Sequence, residues 1–212
     1  MQLVPSQDNN SKATRRLIDS TCRELIRRQE NLDFTLEDIA QAAKLPIGIV
    51  VESAKNSRGV ASVTTIIERI FIAHGKEISD MIAIYLASSK SLEDIESGLV
   101  ECVRQLCFLT RNDPLAKVLW RNVFENGHLH PLGQEHSLQR GQSFIDRLTE
   151  LAPHWSPDRI KTMVTLIVQS MYQTARVVQK MPEERAQAMI TEAEKLIVIK
   201  FRDPYCAESL KE

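Results

Sequence analysis

The chain has 212 residues, 43% of them hydrophobic and 26% charged, with a net charge of −1, an ordinary composition for one sizeable globular domain or two smaller ones. No apolar run approaches the roughly 18 residues that span a bilayer, and no charged-then-apolar leader opens the chain, so a cytoplasmic protein is expected. A charge this close to zero neither favours nor excludes nucleic acid for the chain as a whole.

Residues 1–12, MQLVPSQDNNSK, read as a disordered arm. A first amphipathic helix is expected from about Ser11 to Arg28, with Leu17, Ile18, Thr21, Cys22, Leu25 and Ile26 on its inner stripe. Thr35 reads as an N-cap with Asp38 three residues on, a capping box in which Asp stands for the usual Glu or Gln. The run LEDIAQAAKL follows, turning Leu36, Ile39, Ala40 and Ala43 inward. Pro46 suits the first turn of a further short helix, PIGIVVES. The last two of these helices sit at helix-turn-helix spacing.

The link NSRGV breaks the pattern at Gly59. A long helix is expected from about Ser62 to Ala87, with Ile70, Phe71, His74, Ile78, Met81, Ile82 and Tyr85 on its buried side. Ser91 caps a helix to Leu109, and Asp113-Pro114 starts a shorter one through Phe124. ENGHLHPLG reads as a loop before a helix from about Gly133 to Leu151 that carries Leu138, Phe144, Ile145 and Leu148. Ser156-Pro157-Asp158 opens a helix to about Lys180, and Met181-Pro182-Glu183-Glu184 opens the last, to about Phe201. The fold class expected is all-α with about nine helices: a three-helix head over residues 13–60 and a six-helix C-terminal bundle over 61–205.

At the residues TRRLID (14–19) and FTLEDIAQAA (34–43) the chain resembles the tetracycline-repressor (TetR) family of transcriptional regulators, and Gly48 falls where that family commonly has a glycine in its recognition helix. The detailed match covers about a quarter of the chain. The resemblance implies a homodimer, a head that places its third helix in the major groove of operator DNA, and a body with a ligand pocket. Dimerisation is assigned to 156–201, whose two long helices form a hairpin able to pair with a second copy. Two departures stand out. Lys44 occupies the position where the family usually has Gly, and the third helix carries no Tyr, Asn, Gln, Arg or Lys between Pro46 and Ala54. Direct readout needs donors and acceptors matched to base edges, so this helix offers only apolar contact. Residues 1–60 carry nine Lys/Arg against eight Asp/Glu, a weak basic excess for a DNA-binding module.

Two readings follow. In the first, a ligand-responsive repressor, Thr35 and Lys44 touch the DNA backbone, Ile47 and Gly48 pack on the bases, Lys55 and Arg58 hold phosphates, with Glu52 repelling them, and Pro46 is counted with the DNA-binding residues. In the second, DNA binding is lost and Ile47, Ile49, Val50 and Val51 dock a protein partner. The ligand pocket is assigned to His74, Phe108, Trp120, Phe124, Phe144, Met163, Met171 and Tyr172, and suits a small apolar or aromatic ligand.

Enzyme chemistry is not expected, because the chain has no Gly-rich phosphate loop, no GxSxG and no HExxH. No cofactor is implied. His128, His130 and His136 cluster within nine residues but lack Cys partners, so no metal site is assigned. Cys22, Cys102, Cys107 and Cys206 form no CxxC pair and read as free thiols, with a redox-sensing pair as the alternative.

Overall fold

The structure, a computed structural model, describes residues 7–125 and 127–202, with side chains described over 11–125 and 127–198. The described residues form nine α-helices: α1 (Gln7–Gln29), α2 (Leu36–Ala43), α3 (Ile47–Ser53), α4 (Val63–Ser88), α5 (Leu92–Asn112), α6 (Pro114–Phe124), α7 (His130–Leu151), α8 (Pro157–Val178) and α9 (Glu183–Arg202). The all-α class is as expected. Residues 1–6 of the expected arm, Cys206, and the end of the assigned body to 205 lie outside the described residues.

Helix α1 begins at Gln7, ahead of the expected Ser11. Half of the arm is therefore helical, because nothing between Gln7 and Ala13 is Gly or Pro. The Thr35 capping box is present, with Thr35 Oγ1 accepting from Asp38 N, and Ser91 forms a second one, its Oγ accepting from Asp94 N. Asp113 and Ser156 cap α6 and α8, each with Pro next in the chain. Helix α7 starts three residues before the expected Gly133. Asn122 Oδ1 accepts from Leu129 N at 3.0 Å, and His130 Nδ1 lies 2.9 Å from the Val123 carbonyl. These bonds bring the end of α6 back over the turn, and the fully buried Leu129 anchors it.

The chain divides into two compact units at His74/Gly75, inside α4, and not at the Arg58–Ser62 link. The first turns of α4 belong to the N-terminal unit because Ile66, Ile67, Ile70 and Phe71 are all buried. Arg69 reaches from α4 to Asp19 on α1 and to the Ser53 carbonyl at the end of α3. In this unit α1 packs on α2 and α2 on α3, over Ile18, Cys22, Ile26, Phe34, Ile39, Val50 and Ala54.

In the C-terminal unit α5 is the central helix, packed on α6, α7, α8 and α9. Its core includes Ile95, Leu99, Val103, Leu119, Trp120, Phe144, Leu148, Ile160 and Val164. Arg111 on α5 ties the α8–α9 turn through the Val178 and Met181 carbonyls, and Gln179 donates to the Thr110 and Lys117 carbonyls. Four inward expectations change. On α1 Leu17 is 44% exposed, because the buried row of that helix runs through Ile18, Cys22, Leu25 and Ile26. Along α4 the inner row runs Ile78, Ile82, Leu86, which leaves Met81 and Tyr85 exposed on its flank. On α7 the buried row is Gly133, Ser137, Arg140, Gly141, Phe144 and Leu148. Leu138 is off that row and 68% exposed.

Candidate functional site

In the N-terminal unit three residues, Lys44, Leu45 and Pro46, join α2 to α3. This is the short connection that a helix-turn-helix requires. Lys44 ends α2 in the left-handed region at φ 55°, a conformation that costs a side-chain-bearing residue free energy and suits glycine. The lysine side chain is thereby held at the surface of the turn. Pro46 takes the N-cap of α3, one place before the expected first turn.

Helix α3 splits its apolar residues. Val50 is fully buried and so is not free for the docking patch assigned to it, while Val51 is half-buried. A short helix must bury one face, and the 3.6-residue period turns Val50 to the core. Ile47 and Ile49 do face solvent, at 41% and 40% exposure. Between them, a Cβ on Gly48 would meet no atom within 4 Å. An open groove beside α3 is lined by Ser11, Thr14, Arg15, Gly48, Ile49 and Glu52.

The charges of this face differ from the expectation in one respect. Glu52 is paired with Lys55 at 2.5 Å, so the acid is screened and the lysine is partly engaged. Both partners are exposed, and such a pair contributes little and yields readily to a stronger anion. After α3, Asn56 organises a tight turn: its side chain accepts from Arg58 N and Val60 N, and Gly59 adopts φ 77°. That turn holds Arg58 in solvent. Thr35 is exposed, but its hydroxyl and backbone N–H are both committed to Asp38. The Asp38 carboxyl is held below its usual range, chiefly by the Thr35 backbone N–H.

In the C-terminal unit an apolar chamber of about 50 Å³ is lined by residues including Met81, Ile82, Phe144, Met171, Tyr172 and Arg140. A second, more polar cleft of about 310 Å³ opens beside it, with Tyr172 in both walls and Phe124, His130 and Gln134 in its own. Of the assigned pocket residues, Phe144, Met171 and Tyr172 therefore come together, and Phe124 lines the neighbouring cleft. Trp120 is fully buried behind them, 5.4 Å from the Tyr172 ring and 5.8 Å from Phe124. Met163 is buried on α8 but lines neither space. Phe108 is 60% exposed on α5, because the core row of that helix runs through Val103, Leu106, Cys107 and Thr110. His74 falls in the N-terminal unit and is buried there.

Arg140 is the residue that hydropathy missed. The signal was present: it stands four and eight residues before Phe144 and Leu148, in register with the buried row of α7. Its guanidinium donates to the Tyr172 hydroxyl at 2.6 Å and the Gly75 carbonyl at 3.3 Å, and lies 5.8 Å from the Trp120 ring. Burial raises the Tyr172 phenol pKa against the opposing pull of Arg140. Burial also lowers the His136 pKa, and Arg140 adds to that shift.

Among the described residues no group of three or more His, Cys, Asp or Glu is placed to hold a metal ion. His130 has its ring nitrogens taken up by the Val123 carbonyl and Gln134. Cys22, Cys102 and Cys107 are free thiols. Burial pushes Cys22 and Cys107 up to about 12 and Cys102 to about 11, which keeps them protonated and unreactive at neutral pH. No protein-family model matches the chain, and no curated protein matches its sequence.

Proposed function

We propose that this chain is a ligand-responsive DNA-binding regulator of the tetracycline-repressor kind, acting as a homodimer. The observation that carries the reading is the pairing of α2 with α3 across a three-residue turn, with the backbone at Gly48 open to solvent. A helix meets a groove closely where no Cβ intervenes, and Ile47 and Ile49 on either side are able to press on thymine methyl groups. Arg15, Lys44, Lys55 and Arg58 are all exposed and supply phosphate contacts from α1, the turn, and the end of α3. Affinity then comes mostly from the backbone and from groove shape.

The homodimer is assigned to the hairpin of α8 and α9. Leu166, Val177, Met189 and Leu196 are large apolar residues exposed on those two helices, and a second copy of the same face covers them in a two-fold arrangement.

A gel-shift titration against the DNA flanking the chain's own gene tests the reading. The expected result is a discrete complex that Arg58→Ala and Arg15→Ala both weaken. The exposed Ile47 and Ile49 also favour a second reading, a TetR-type protein that has exchanged DNA for a protein partner. That reading gains if no DNA complex forms and Ile49→Asp abolishes the binding of a co-purified protein.

A further inference from the structure

We infer that the chamber of the C-terminal unit takes an apolar monocarboxylate, with its carboxylate paired to the buried guanidinium of Arg140. The inference rests on the ligand-binding half of the function proposed above and is independent of the DNA half. Arg140 is only 8% exposed, yet its three protein hydrogen bonds all go to neutral acceptors. Nη1 donates to Tyr172 Oη at 2.6 Å, Nη2 to the Gly75 carbonyl at 3.3 Å, and Nε to Ser79 Oγ at 3.4 Å. No described carboxylate forms an ion pair with it. A guanidinium carries five N–H donors, so two are left without a protein acceptor. Taking a cation out of water is costly unless an anion or a full set of acceptors replaces the water. Here neither is supplied by the protein.

The rest of the chamber defines the other end of the ligand. Ile78, Met81, Ile82, Phe144, Val168 and Met171 offer hydrocarbon and thioether surface, and of the other lining residues Gln105 is polar, with its amide N–H given to Glu101. The space of about 50 Å³ is too small for a tail of several carbons as it stands. Two of the lining residues, Met81 and Met171, are methionines, and unbranched thioether side chains re-pack readily around a guest. An apolar body with one acidic group matches this lining, because a planar carboxylate accepts two N–H bonds from a guanidinium side by side. A neutral apolar ligand would leave the charge of Arg140 uncompensated.

The test compares octanoate with 1-octanol, of equal length and without charge, by intrinsic tryptophan fluorescence of the full chain. Trp120 reports on the site from 5.8 Å. Octanoate is expected to bind saturably and at least about tenfold more tightly than octanol, as a charge-assisted bond in a dry site implies. Arg140→Gln is expected to remove that preference and Arg140→Lys to keep part of it, with circular dichroism checking that each variant is folded. Should Arg140→Gln fail to fold, the octanoate-to-octanol ratio of the native chain decides alone. Octanol binding as tightly as octanoate overturns the acid assignment and leaves the chamber as a neutral pocket. Octanoate binding unchanged in a folded Arg140→Gln chain also overturns it. No saturable binding of either compound overturns both the assignment and the ligand-binding reading on which it rests.

Discussion

Lys44 holds a left-handed backbone conformation that most side chains avoid, at the turn between two helices whose spacing matters. Lys44→Gly removes that strain and is expected to stabilise the chain by about 1 kcal/mol, read as a higher denaturant midpoint with an unchanged slope. If the lysine amine holds a phosphate, the same substitution weakens DNA binding, so the two readouts move in opposite directions. An unchanged or lower midpoint would contradict the backbone assignment. His136 gives a pH signature. Its folded pKa is lowered by burial first and by Arg140 second, so the unfolded chain takes up the proton more readily. Its contribution to stability is full above the unfolded value, near 6.5, and is lost as pH falls through the folded value. His136→Gln is expected to flatten the stability profile below pH 6.5. A profile identical to that of the native chain would rule this out.

At the scale of elements, helix boundaries were legible where a side chain does the capping. Thr35 with Asp38, Ser91 with Asp94, Asp113 and Ser156 all sit where the chain enters a helix. The start of α7 was not legible, since Leu129 caps nothing with its side chain and the turn is held instead by Asn122 and His130 on either side of it. The close crossing of α6 and α7 there depends on Gly133. An added Cβ would lie 2.4 Å from Val123 Cγ1, and a buried β-branched neighbour has little room to turn away. Gly133→Ala is expected to destabilise by about 1–3 kcal/mol through overpacking, despite alanine's better helix propensity. A midpoint equal to or above that of the native chain would contradict this packing. For α8 and α9, Leu166→Glu with Leu196→Glu is expected to convert a dimer of twice 24.1 kDa into a monomer by light scattering. A native chain that is already monomeric removes the dimer from the account.

For the whole molecule, hydrophobic periodicity was enough to give an all-α class and the nine helices of the described residues, because each helix buries one stripe. It did not give the division into units. The first turns of α4 read as one continuous apolar helix, while the burial of Ile66, Ile67, Ile70 and Phe71 and the reach of Arg69 to Asp19 and Ser53 assign them to the N-terminal unit. Nor did it give Arg140, because hydropathy places arginine outside while packing has placed this one inside. The third helix is apolar, as its composition implies, but its exposed face is narrower than the run of four apolar residues suggests, because Val50 belongs to the core. What remains of that surface is Ile47, Gly48 and Ile49 among exposed cations, and the proposed function depends on it meeting DNA. The most direct test is a fluorescence-anisotropy titration of a labelled duplex from the chain's own flanking DNA at 50 and 200 mM salt. With six or more phosphates neutralised per dimer, the affinity is expected to fall by about 10³-fold or more between the two, with two chains per duplex and a markedly weaker complex for Gly48→Ala. An affinity that ignores sequence, or the absence of any complex at the lower salt, would contradict the account.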